Sequence, residues 1–245
     1  MTTTSHDSAK PTVVLVHGAF AESASWNGVI AELTGRGYPV VAVANPLRGL
    51  SEDAAHLRSV LDHLTGPVVV AGHSYGGSVL SEAVDGNHDV KALVYIASFQ
   101  LDVGESTSEL AAKYPGGELG PALDPVPFPA ADGSTGSDLY IKQEEFRRVF
   151  AADVDEQTTG LMAATQRPIT AKALEDTATK AAWKSIPSWA LISTQDLAIP
   201  AESMRFMAKR AESTTVELDA SHAVAVSHPA AVAELIDAAA RATTH

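Results

Sequence analysis

Short apolar runs rich in β-branched residues recur along the chain at 12–16, 39–43, 67–71, 90–96, 188–192 and 215–218. The interior runs lack polar alternation, which is how strands buried on both faces of a parallel sheet read. Helical periods lie between them. Residues 51–64 place Ala54, Leu57, Leu61 and Leu64 on one face, with Ser51 as the expected N-cap and Glu52 and Asp53 in the first turn. Residues 201–211 and 229–241 also read as helices, the second with proline at its first position. Strand and helix in alternation predict an α/β chain, a doubly wound, mainly parallel sheet of six strands.

The alternation breaks once, between Phe99 and Ile186. That stretch opens with YPGGELGPALDPVPFPAADGSTG, rich in Pro and Gly and without periodicity, so it reads as loop. Helical patterns follow at 139–152, 156–165 and 170–183. Because strands resume afterwards, the stretch reads as an insertion over the sheet edge rather than a second domain. The expected organisation is a tail at 1–11, a core at 12–98 and 187–245, and a cap at 99–186. A long irregular loop within a compact domain is more often a lid or binding element than a defect.

Composition narrows the function. Seventeen basic against 30 acidic side chains give a net charge of −13, a surface that repels phosphate backbones and anionic lipid. Nucleic acid and membrane are therefore not expected partners. The chain has no cysteine, which removes disulfides, zinc–thiolate sites and thiol nucleophiles. Its first residues lack the charged and apolar regions of a signal peptide, and a cytoplasmic location is expected. The sequence fits a monomer or a homodimer equally.

The chemistry centres on Gly72-His73-Ser74-Tyr75-Gly76, a G-x-S-x-G pentapeptide. It follows the buried run VVVAG and opens the helical SYGGSVLSEAV, the strand–turn–helix setting of a nucleophile elbow. The turn presents the Ser74 hydroxyl, and the flanking glycines allow close approach of neighbouring chains. A serine needs a base. Of nine histidines, His6 and His245 lie at the termini, His56 and His63 on a helix, and His17 and His73 inside other motifs. His88 and His228 are weaker choices; His222, in the loop DASHAV just past the last strand, is the candidate base. Asp196, in STQDLAIP after the preceding strand, is the candidate acid, with Asp102 and Asp219 as rivals. Backbone N–H groups of Ala19, in the loop His17-Gly18-Ala19-Phe20, and of Tyr75 are the expected oxyanion donors. Phe20, Phe99, Phe128 and Met162 are candidate pocket-lining residues.

Taken together, VLVHGAF, AGHSYGG, STQDLAIP and ASHAV resemble the α/β-hydrolase superfamily, over roughly residues 12–98 and 188–241. Within it the chain is most similar to the small methylesterase and hydroxynitrile-lyase group and its bacterial relatives. The resemblance implies a six-stranded core, no metal or cofactor, and a small-molecule ester as substrate. It also implies a division of activities: the lyases carry threonine after the loop histidine and lysine after the catalytic histidine. Those positions are Gly18 and Ala223 here, so hydrolysis of small, fairly apolar carboxylic esters is expected over cyanohydrin cleavage. The same triad also serves perhydrolysis and cofactor-free haloperoxidation, and a receptor with a vestigial pocket is a third reading. Aspartate-dependent dehalogenation is excluded by Ser74.

Overall fold

The computed structural model describes residues 10–130 and 133–243. Most of the expected N-terminal tail, together with His6 and His245, therefore lies outside the described residues. Nine strands run in chain order among the described residues: β1 (Thr12–Val16), β2 (Val40–Val43), β3 (Val68–Ser74), β4 (Val90–Ser98), β5 (Leu123–Pro129), β6 (Thr135–Ile141), β7 (Ile169–Thr170), β8 (Ser188–Ser193) and β9 (Thr214–Leu218). Six of them form one parallel sheet in the order β2-β1-β3-β4-β8-β9. Every residue of β3 is buried, as the apolar run that opens it predicts for a central strand with helices on both faces. The helices Asn27–Gly35, Leu50–Leu61, Tyr75–Ala83, Ala201–Arg210 and Pro229–Thr243 cover the faces of this doubly wound sheet. Among the described residues no helix is long and apolar enough to cross a membrane.

Two local expectations need correction. Ser51 is not an N-cap: the helix begins at Leu50 with Gly49 in the cap position. The first-turn Asp53 instead turns inward, and its carboxylate accepts the Arg48 backbone N–H at 3.0 Å. The larger correction is in the insertion. The stretch Leu123–Pro129, expected as loop, is a strand, and residues 135–141 form its antiparallel partner, so the helix expected from residue 139 does not begin there. Pro125, Pro127 and Pro129 sit two apart, so their missing N–H groups fall on one side of β5. As β5 is an edge strand of the sheet β5-β6-β7, that side needs no ladder partner. Phe128 lies opposite Gly136 and its ring covers it, filling the place a side chain would take. The helical period holds for Gln143–Phe150 and Glu156–Thr165, but over 170–183 only Ala171–Glu175 and a single 3-10 turn at Ala182–Lys184 are helical.

Candidate active site

The sheet runs outward from β1 to β2, then returns through β3 to β9. Loops leaving the carboxyl ends of β1 and β3 therefore diverge, which opens a crevice where ligands bind in sheets of this kind. β3 ends at Ser74, whose φ of 53° and ψ of −126° are unfavourable for a residue with a Cβ. Such a conformation costs on the order of 1–3 kcal/mol and persists only where the surroundings enforce it. Here they do. The Ser98 hydroxyl donates to the Ser74 carbonyl at 2.6 Å. The turn also packs so tightly on β1 that a Cβ at Gly76 would stand 2.3 Å from the Val16 carbonyl oxygen.

Ser74, Tyr75, Ala19, Phe20, Phe99 and His222 all line one cavity of about 60 Å³. His222 leaves β9 in a loop held from both sides. Its backbone carbonyl accepts the His73 Nε2–H at 2.8 Å. The next N–H, of Ala223, donates to the Phe150 carbonyl at 2.9 Å. Behind the imidazole, Nδ1 meets Asp196 Oδ2 at 2.6 Å, both side chains being buried. The other carboxylate oxygen, Oδ1, accepts the N–H groups of Ala198 at 2.7 Å and Ile199 at 2.8 Å. Three hydrogen-bond partners on one buried carboxylate fix its position. The loop carrying Asp196 is itself docked on the loop carrying His222, since Thr194 and Gln195 N–H donate to the Leu218 and Ala220 carbonyls.

The rivals lie elsewhere. Asp102 pairs with Lys184, Asp219 and His88 are exposed, and half-buried His228 stands 3.6 Å from Asp153. Of the expected lining residues, Phe20 and Phe99 reach the cavity. Phe128 does not: it sits on the β5–β6 hairpin above Arg48, bordering a separate surface cavity. Met162, on the helix Glu156–Thr165, borders a neighbouring cavity instead.

Several supporting residues escape sequence reasoning. Asp153 binds Ser221, the residue before His222, through both its backbone N–H and its hydroxyl. The Phe150 ring stands 4.8 Å from the His222 ring, centre to centre. Both come from the insertion, and nothing in their local sequence marks them. Asn45 brackets His17, donating from its backbone N–H to Nε2 and from its side chain to the His17 carbonyl, each at 3.0 Å. Buried Asp53 accepts the Tyr75 hydroxyl at 2.8 Å, anchoring the residue that follows Ser74. Burial pushes the Asp53 carboxyl above its ordinary range. Among the described residues no cluster of three His, Asp or Glu side chains is placed to hold a metal.

Burial also lowers the two other histidines of the crevice, His17 to about 4 and His73 to about 3. Both are neutral near pH 7, so neither opposes a positive charge on His222. The same depression links stability to pH. Below about 6.5 the unfolded chain protonates these imidazoles while the native chain does not, so stability falls as pH drops toward 4. By pH 5 the loss is about 2 kcal/mol per histidine, offset in part by Asp53, whose raised carboxyl works in the opposite direction. Urea unfolding should show a lower midpoint at pH 5 than at pH 7.5, with the difference reduced in His73→Asn. Equal midpoints at the two pH values would overturn this assignment.

A sequence profile described as the alpha/beta hydrolase family matches residues 13–235. An alpha/beta hydrolase of Aspergillus novofumigatus, nvfD, is 29% identical over 250 residues, covering 93% of this chain and 95% of that protein. A pyrethroid hydrolase of Sphingobium wenxiniae is 28% identical over 253 residues, covering 91% of this chain and 85% of its own. A solved methylesterase from Arabidopsis superposes with a TM-score of 0.76 at 19% identity, covering 93% of this chain and 98% of that one; at that identity the likeness is one of fold.

Proposed function

The chain belongs to the alpha/beta hydrolase family, and from that premise we propose that it is a serine esterase cleaving small, largely apolar carboxylic esters. The observation that carries the reading is the 2.6 Å contact between His222 Nδ1 and Asp196 Oδ2, made in the wall of the cavity that Ser74 also borders. Ser74 Oγ attacks the ester carbonyl while His222 Nε2 takes its proton. The charge that grows on the carbonyl oxygen is met by the N–H groups of Ala19 and Tyr75, each such donor being worth about 3–4 kcal/mol in the transition state. His222 then returns the proton to the leaving alkoxide, and the alcohol departs from an acyl-enzyme on Ser74. A water deprotonated by His222 attacks that acyl group, and collapse of the second tetrahedral intermediate frees the acid and restores Ser74.

Two positions favour hydrolysis over cyanohydrin cleavage. A Cβ on Gly18 would stand 2.6 Å from Ser74 Cβ and 2.8 Å from the His73 carbonyl oxygen, so no threonine fits there without moving the nucleophile. Ala223 is buried after His222 and offers no cation for a departing cyanide. The esters of the relatives' names, a pyrethroid among them, support a largely apolar substrate. The test is stoichiometric labelling of Ser74 by a fluorophosphonate together with turnover of p-nitrophenyl acetate. Absence of both, or a bromide-dependent peroxide reaction exceeding ester hydrolysis, would overturn the reading.

A further inference from the structure

The cavity at Ser74 measures about 60 Å³. Sites for small organic ligands run to roughly 300–1,000 Å³. One arm of an ester therefore has to extend beyond it. A second cavity, of about 400 Å³, lies between residues 22–27 and the helix Glu156–Thr165. Phe20 is the one side chain that lines both.

Phe20 is built as a wall with a fixed base. Its φ of 59° is unusual for a bulky residue. Its N–H donates to the Arg167 carbonyl at 3.0 Å, tying the β1 loop to the insertion. Its ring meets the Phe150 ring edge-on at 6.4 Å, and Phe150 in turn packs on His222. The backbone is thus pinned, and the ring is the side chain that the two cavities share. Beyond it stand Ala21, Leu161, Met162 and Val226, with exposed Glu22 the single ionised side chain of the lining. Apolar walls and a lone carboxylate suit an uncharged hydrocarbon arm and oppose an anionic one.

Resting on the esterase reading above, we infer that Phe20 is the specificity-determining gate of this enzyme, and that the 400 Å³ cavity behind it receives the uncharged, apolar arm of the ester. Two substitutions test it from opposite sides: Met162→Trp fills the outer cavity, and Phe20→Ala removes the wall. The readout is the ratio of kcat/KM for p-nitrophenyl hexanoate over p-nitrophenyl acetate. Since each buried methylene contributes roughly fourfold, Met162→Trp should lower the ratio at least tenfold and Phe20→Ala should raise it severalfold. A ratio moved by neither overturns the inference. A binding measurement separates this from the chemistry: in the Ser74→Ala background, calorimetry with p-nitrophenyl hexanoate should show affinity falling at least tenfold on adding Met162→Trp. An unchanged Kd overturns the gate even if the wild type is an esterase. Conversely, a wild type that neither turns over acetate nor takes the fluorophosphonate removes the esterase reading, while the binding measurement still decides the cavity.

Discussion

Replacing Ser74 by alanine should lower kcat toward p-nitrophenyl acetate by about 10⁵- to 10⁶-fold, with KM little changed. The size of the effect follows from the roles in series. On the proposed mechanism the hydroxyl forms the acyl-enzyme and gives its proton to His222, and both steps are lost with it. What remains is polarisation by the two N–H groups and the binding of the substrate. The substitution is also clean. Ser74 is held at φ 53° by the chain around it rather than by its own side chain, for which no cap hydrogen bond is made. Alanine suffers the same strain as serine, so the fold and thermal midpoint should stay near those of the wild type. Loss of activity with loss of fluorophosphonate labelling at an unaltered midpoint is the expected result. Turnover within tenfold of the wild type would place the nucleophile elsewhere.

The parallel core was legible because its interior strands β1, β3, β4 and β8 are buried on both faces, so each reads as a run of apolar residues. The strand–turn–helix setting of Ser74 was legible because the apolar run of β3 ends there and the helix Tyr75–Ala83 begins at the next residue. His222 and Asp196 could be chosen because the carboxyl ends of neighbouring strands face one crevice, whatever the sequence distance between them. The insertion resisted because its signals conflict. Prolines in LDPVPFP speak against a strand unless the strand lies at an edge, and edge position is a tertiary fact. The apolar residues of TGSDLYI run directly into the helical period of Gln143–Phe150, which drew the predicted helix four residues too early. Phe128 and Met162 are apolar residues of the insertion, and no local pattern says which face turns to Ser74. Asp153 and Phe150, which do hold the His222 loop, meet it only through long-range contacts.

Asp196→Asn should lower kcat by about 10⁴-fold while leaving the fold nearly intact. The reason lies in the three donors on the carboxylate. Oδ1 accepts from the N–H groups of Ala198 and Ile199, and Oδ2 faces His222 Nδ1. An asparagine has one acceptor oxygen and one amino group to distribute between those two sides. Turning the amino group toward Ala198 and Ile199 would leave two buried N–H groups unsatisfied, at about 1–3 kcal/mol each. The oxygen therefore stays with the backbone, and the amino group points at His222. It then donates to Nδ1, which becomes an acceptor, and the imidazole proton moves to Nε2. In that tautomer Nε2 has no lone pair for the Ser74 proton, so the proposed base is present, in place and inert. Substrate binding does not involve this proton, so KM should change little. Nitrogen NMR of His222 should report the proton on Nε2 in the variant and on Nδ1 in the wild type. A variant retaining kcat within tenfold, or retaining the Nδ1 proton, would show that Asp196 does not set the tautomer. Asp196→Ala separates the two duties of the side chain: it removes the acceptor for two backbone N–H groups and should cost more stability than the asparagine, without forcing the wrong tautomer.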